Sequence, residues 1–313
     1  MNNSDRGLLD LIITRLPLKP ALQARLCRIF SREEDIIGLS GSDIIEATGG
    51  QGLFQFDAER FNIDKARRDA EQDLRIMRAR SIQYISIVQA AYPPLLTEIF
   101  DPPVVLYYRG KLPPGDQPLL AVVGTRNPPA GSLDWTFRTC RDLGRAGVIV
   151  VSGLALGIDA MAHRGTLAGG GKTIAVLGSA VDEIYPLSNR YLARHILETD
   201  GALISEYPPG TEPRKWHFPA RNRIISGLCR AVLVSHAPLK SGALITADFA
   251  LEQNRDLWVA GSGAGAGAMR LTEEGAKSIY NAQDVFREWG IKIPDNERTI
   301  DSLADNLIQE LKL

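Results

Sequence analysis

The densest chemistry in the sequence lies in PRKWHFPARNRIISGLCR, residues 213–230. Arg214 and Lys215 precede Trp216, His217 and Phe218, and Pro219 leads into Arg221, Asn222 and Arg223. Cations interleaved with aromatic rings are the composition of single-stranded nucleic-acid sites. The cations follow the phosphodiester backbone, and each stacked base adds about 1–3 kcal/mol. A second reading stays open, in which Trp216 and Phe218 are core and Arg221 and Arg223 hold a carboxylate such as Glu206 or Asp182. The other concentration is a set of glycine-bearing turns: Gly124-Thr125-Arg126, Ser152-Gly153, Gly178-Ser179 and Lys240-Ser241-Gly242. Small residues there let backbone N–H groups and helix N-termini approach an anion. Any one of them also suits an ordinary strand-to-helix turn; four on one edge point to a phosphate-binding rim.

Other chemistries fit less well. AGGGKT at 168–173 lacks the first glycine of a P-loop, since Thr166 stands there, and it precedes a strand where a P-loop follows one. Neither VGTRNPPAG nor LGSAVD carries the second and third glycines of a dinucleotide fingerprint, and no ribose-binding acid follows Ser152-Gly153. Asp159 and His163 share a helix face with Ser152 nearby, but Ser152 is on no nucleophile elbow. Asp159 complements a helix N-terminus more simply, with His163 packed beside it. The four His and three Cys show no metal-ligand spacing, so neither a metal nor a cofactor is expected.

Six short apolar runs position the turns: 119–124, 148–153, 173–178, 202–206, 231–237 and 256–261. They are rich in Val, Ile and Leu without clean alternation, as strands buried on both faces are. Helical patterns at 133–146, 188–199 and 244–254 separate them, which predicts a doubly wound parallel α/β sheet. Ligands of such sheets sit beyond the strand carboxyl ends, where the glycine turns fall. Residues 1–80 read instead as short helices. Leu9, Ile12, Ile13 and Leu16 keep one face apolar, as do Leu22, Leu26, Ile29 and Phe30; Ser31 with Glu34 reads as a capping box, and 61–78 as a helix whose mixed charges (Arg67, Arg68, Asp69, Glu71, Asp73) face solvent.

Composition sets outer bounds. The 313 residues carry 36 Lys+Arg against 37 Asp+Glu, a formal charge of −1, and 44% hydrophobic residues. That excludes wholesale disorder. Three cysteines exclude a disulfide scaffold, and LLDLII at 8–13, broken by Asp10, is far too short to span a membrane or act as a leader. A cytoplasmic protein is expected. Neutrality argues against nucleic acid only as an average: residues 212–230 hold five basic residues and one acid, whereas 295–313 hold two and five.

The chain resembles the DNA-processing protein A family (DprA, also called Smf). The motifs run in order through AAYPPLLTEIFDPPVVLYYRG (90–110), AVVGTRN (121–127), VSGLALGIDAMAH (151–163) and GGGKTIAVLGSAVDEIYPLSN (169–189), then GALISEYPPGTEPRKWHFPARNRIISGL (201–228) and SGALITADFALEQNRDLWVAG (241–261). The resemblance implies a helical (SAM-like) domain over 1–80 and a Rossmann-like domain over 81–290 that binds single-stranded DNA. It implies a dimer without catalytic activity that protects incoming DNA and helps load RecA in natural transformation. By the family's pattern, the DNA-binding positions are Gly124, Arg126, Ser152, Gly153, Lys215, Arg221, Asn222, Arg223, Ser241 and Gly242; Trp216, Phe218 and Tyr185 are the candidates for base stacking. The chain departs from the pattern at Val234-Ser235-His236-Ala237, which lacks a family carboxylate, at Ala260-Gly261, and over the glycine-rich 261–278, where relatives form the dimer and RecA surface. After Gly290 only a tail (291–313) remains, read as one helix over 299–313 with no winged-helix domain. Two alternatives stand beside this reading: a family member that binds DNA without loading RecA, and a nucleotide phosphoribohydrolase, whose Pro-Gly-Gly-x-Gly-Thr string is not found here.

Overall fold

The computed structural model describes residues 6, 8–47, 62–115, 117–261 and 263–291. The helix expected over 299–313 lies outside them. The N-terminal part contributes α1 (Leu9–Arg15), α2 (Pro20–Ile29), α3 (Gly41–Ala47) and α4 (Ile63–Arg80). Pro20 opens α2 at a position where its missing N–H costs nothing. Asn62 caps α4 by accepting from the Lys65 N–H at 2.7 Å. The charged groups here are more committed than a solvated face allows. Asp73, read as solvent-facing, is buried and gripped by the Arg15 fork, with Nε donating to Oδ2 at 2.7 Å. Ile29 stands 44% exposed, and Ala24, Leu26 and Cys27 form the inner face of α2 instead. The cap expected at Ser31 falls one residue later, where the Arg32 N–H donates to Asp35 at 3.0 Å.

Beyond α4, β1 (Gln83–Ser86), α5 (Pro94–Thr97) and β2 (Val105–Gly110) precede β3 (Leu119–Gly124), α6 (Ala130–Arg145), β4 (Ile149–Ser152), α7 (Ile158–Ala168) and β5 (Thr173–Val176). There follow α8 (Arg190–Glu198), β6 (Ala202–Ser205), α9 (His217–Gly227), β7 (Ala231–His236), α10 (Gly242–Glu252), β8 (Asp256–Ala260), α11 (Ala266–Glu273), β9 (Lys277–Ile279) and α12 (Ala282–Trp289). The sheet order is β1-β2-β6-β5-β4-β3-β7-β8-β9. The six apolar runs thus become six contiguous parallel strands. Periodicity did not mark β1, β2 and β9, and the sheet is not wholly parallel: β2 runs antiparallel to β6, pairing Tyr107 with Ser205, and β1 is antiparallel to β2.

Residues alternate between two cores, as strands covered on both faces require. Ala121 and Val123 face the larger one, which continues through Ile224 on α9, Ala247 on α10 and the wholly buried Tyr107 to Leu9 and Ile12 on α1. Leu120 and Val122 face the other, closed by Leu143 on α6, Ile158 on α7 and Phe286 on α12. The chain builds outward from β3 in both directions, through β4, β5 and β6 to one side and β7, β8 and β9 to the other. The carboxyl ends of β3 and β7 therefore flank the switch point, where the helices that follow diverge and leave a crevice.

Candidate functional site

A cleft of ≈ 640 Å³ opens at that switch point. Gly124 ends β3 because nothing larger fits: a Cβ would stand 2.5 Å from the Ile158 side chain and 2.9 Å from the His236 carbonyl. The next N–H, on Thr125, donates to that same carbonyl at 2.8 Å, so the turn is held open with Arg126 outward. Arg126, Lys215, Asn222, Lys240, Ser241 and Gly242 line the cleft with Tyr185 and Phe218. Ser241 caps α10, accepting from the Ala243 N–H at 3.3 Å, and a Cβ at Gly242 would meet nothing within 4 Å, so the helix N-terminus faces open space.

The charge balance of the lining is one-sided. Arg126, Lys215 and Lys240 are exposed, and none forms an ion pair among the described residues. The Arg126 guanidinium lies 5.7 Å from the centre of the Phe218 ring, a cation–π contact that holds a free cation over an aromatic face. Phe218 fits because Gly178 has no Cβ, which would stand 2.9 Å from the ring, and Tyr185 lies 5.5 Å away. Among the described residues Asp159 is the one carboxylate of the lining; it is buried and accepts from the Gly153 N–H at 3.1 Å. Burial pushes its carboxyl above the usual range, and the nearby Arg221 charge opposes that.

Arg221 is the buried cation of the site. Its guanidinium donates to the Val176 carbonyl, its Nε has no hydrogen-bond partner among the described residues, and burial lowers its pKa to about 10 against the opposing pull of Asp159. It is still protonated at neutral pH. An under-satisfied buried cation facing a cleft favours an incoming anion, because desolvation has removed the water that would otherwise compete.

Not all the expected residues meet here. The Ser152 hydroxyl is buried and donates to the Val122 carbonyl at 2.7 Å, so it ties β4 to β3 and does not reach the cleft. Gly153 shelters the Arg221 head without lining the space. Arg223 turns away from the cleft: its fork donates to both Glu206 oxygens at 2.7 and 2.6 Å and Nε donates to the Asp101 carbonyl at 3.0 Å. That is the carboxylate-holding alternative for this residue; Nη1 also donates to the Ala220 carbonyl at 3.0 Å, and the fork is committed away from the cleft. Asn222 donates weakly to the Gly242 carbonyl at 3.4 Å, bridging α9 to α10. Trp216 is not core; it is 64% exposed, outside the cleft lining, with Arg214 5.4 Å from its ring. His217 is the buried aromatic of the trio, stacked on Tyr207 at 3.9 Å, with the Gly178 carbonyl 3.0 Å from its Nδ1.

Lys240 and Asp159 belong to the site although neither was among the expected ligands. Lys240 sits in the Lys-Ser-Gly turn before α10, a signal carried by the sequence; Asp159 is identified only by what surrounds it. Ser152, Asp159 and His163 form no relay. The Thr173 hydroxyl donates to Val150 at 2.6 Å, so His163 Nδ1–H donates to Thr173 Oγ1 at 2.7 Å and not to Ser152 or Asp159. Among the described residues no group of three or more His, Cys, Asp or Glu is placed to hold a metal, and no helix is long and apolar enough to cross a membrane.

The family model for DNA recombination-mediator protein A matches residues 83–290. The DNA processing protein DprA of Streptococcus pneumoniae is 40% identical over 251 residues, covering 79% of this chain and 86% of that protein. That of Bacillus subtilis is 42% identical over 221 residues, 67% of this chain and 72% of its own. The X-ray structure of the Streptococcus pneumoniae protein superposes with a TM-score of 0.71 at 34% identity, over 92% of this chain and 99% of that one. A structure of DNA processing protein A from Helicobacter pylori, concerned with its single-stranded DNA binding mode, gives a TM-score of 0.60 at 32% identity, over 66% and 95% of the two chains.

Proposed function

The chain belongs to the DNA recombination-mediator protein A family, and on that premise we propose that it binds single-stranded DNA in the cleft between β3 and β7 and acts as a mediator rather than an enzyme. The observation that carries this reading is the imbalance of the lining, where Arg126, Lys215, Lys240 and the buried Arg221 face a single buried carboxylate, with Phe218 and Tyr185 alongside. Phosphates lie against the cations, the Thr125–Arg126 turn and the start of α10, and bases stack on the rings. Arg223 and Ser152 position the site without touching DNA. In this reading residues 81–290 are the DNA-binding unit and 1–80 a helical domain joined to it. The protein works as a dimer, protects incoming strands and hands them to RecA.

Titration of a fluorescent thymidine oligomer across salt concentrations tests the reading. Engagement of about four phosphates gives a slope of log K against log[salt] near −3, at about −0.7 per phosphate on a single strand. Arg126→Ala then weakens binding to all sequences alike. A slope near zero overturns the assignment. A RecA-filament assembly assay on coated DNA separates a loading mediator from a member that only binds.

A further inference from the structure

We infer that the cleft wall continues beyond Tyr185 into a second base-binding ledge, formed by Leu156, Leu187, Arg190 and Tyr191, over which a single strand leaving the cleft runs. The inference rests on the single-stranded DNA reading of the cleft and extends it to residues outside the lining.

Tyr185 is common to both regions: it lines the cleft and packs beside Phe218. The chain then makes a 3₁₀ turn over Leu187–Asn189 and enters α8. The inward side of this stretch is firmly anchored. Asn189 is buried and donates through Nδ2 to the Leu154 carbonyl at 2.9 Å and the Ala155 carbonyl at 3.3 Å. Ala155 itself lines the cleft, so one side chain locks the two loops together. On α8, Leu192, Ala193 and Ile196 are sunk in the larger core.

The outward side is unlike an ordinary solvated surface. Tyr191 is 83% exposed, Leu187 67% and Leu156 46%. Arg190 is exposed and forms no ion pair among the described residues. The first acid after Glu183 is Glu198, already held by Arg194 at 2.7 Å. Between Tyr185 and Glu198 the chain thus carries no carboxylate, and Arg190 stands between apolar and aromatic side chains. That alternation suits planar bases on a polyanionic backbone rather than a polypeptide, and a ring fixed on an anchored helix loses little freedom when a base stacks on it.

The experiment compares thymidine oligomers of about five and about fifteen nucleotides, spanning the usual range of single-strand site sizes, on the full chain and its Tyr191→Ala, Arg190→Gln and Arg126→Ala variants. The expected result is that Tyr191→Ala weakens the long oligomer about five-fold or more, a larger factor than for the short one. Arg190→Gln should reduce the magnitude of the long oligomer's salt slope by about 0.7. Abasic positions at either end of the long oligomer should suppress the Tyr191 effect. Equal losses on both lengths, or none, overturn the ledge; a Tyr191 surface used by a protein partner gives none. Arg126→Ala keeps the two readings apart. If it weakens both lengths while Tyr191→Ala does not discriminate, only the ledge fails; if Arg126→Ala has no effect on either, the cleft itself is misassigned.

Discussion

Arg221 and Gly153 occupy one space: a Cβ on Gly153 would stand 2.2 Å from Arg221 Nη1 and 2.4 Å from Nη2. The glycine turn after β4 is therefore not a phosphate cradle in its own right. It is the recess that lets a buried guanidinium stand at the cleft with Asp159 behind it.

Gly153→Ala should consequently act through Arg221. Displacing the guanidinium from the Val176 carbonyl and from Asp159 costs about 1–3 kcal/mol of stability and lowers affinity for a thymidine oligomer by about ten-fold, since a charged hydrogen bond contributes about 1.5–3 kcal/mol. Urea unfolding and the oligomer titration read the two effects. Unchanged affinity would mean that Arg221 faces no phosphate.

Arg223, committed to Glu206 outside the cleft, and Lys240, an unpaired cation of its lining, should separate by phenotype. Arg223→Ala strands Glu206 and removes the tie to Asp101, a mostly buried arrangement whose loss costs about 3–5 kcal/mol. The folded fraction should keep the wild-type salt slope. Lys240→Ala, at an exposed and unpaired cation, should leave the melting temperature within about 1–2 °C, as surface substitutions do, while reducing the magnitude of the slope by about 0.7. Thermal unfolding beside the salt titration distinguishes them.

His163 should make the fold acid-sensitive. Burial, assisted by the Arg221 charge, pushes its pKa down to about 3 from 6.5. Because the folded value lies below the unfolded one, the unfolded chain takes up the proton first. The stability from keeping the ring neutral is complete above about pH 6.5 and is lost as the pH falls toward about 3. From about pH 7 to pH 5 this amounts to about 2 kcal/mol. His163→Gln should flatten that part of the pH profile of the urea midpoint, and an unaltered acid limb would show that other groups carry it.

Trp216 and Phe218 should respond differently to truncation. Phe218 packs between Gly178, Tyr185 and Arg126, so Phe218→Ala should lose stability and DNA affinity together, each by about 1–3 kcal/mol. Trp216 is largely exposed, so Trp216→Ala should leave the urea midpoint nearly unaltered. If Trp216 stacks on a base, oligomer binding quenches its fluorescence and the variant loses that signal; an equal quench in the variant removes Trp216 from the site.

Part of this was legible in the residues themselves. Unalternating Val, Ile and Leu runs such as 119–124 and 231–237 are determined by burial on both faces, which is a local property of composition and spacing. The glycine turns at their ends follow from the same local reasoning, and the collinear motifs place the chain in its family. The antiparallel edge was not legible, because β2 pairs with β6 across nearly a hundred residues of intervening chain, and no periodicity in VLYYRG announces a direction. Nor was the division of labour among the cations. Arg221 and Arg223 are two residues apart on one helix, about 200° apart around its axis, so the helix turns one toward Asp159 and the cleft and the other toward Glu206. Only the packing of α9 against the sheet decides which carboxylate each arginine meets and which of them an anion can still reach.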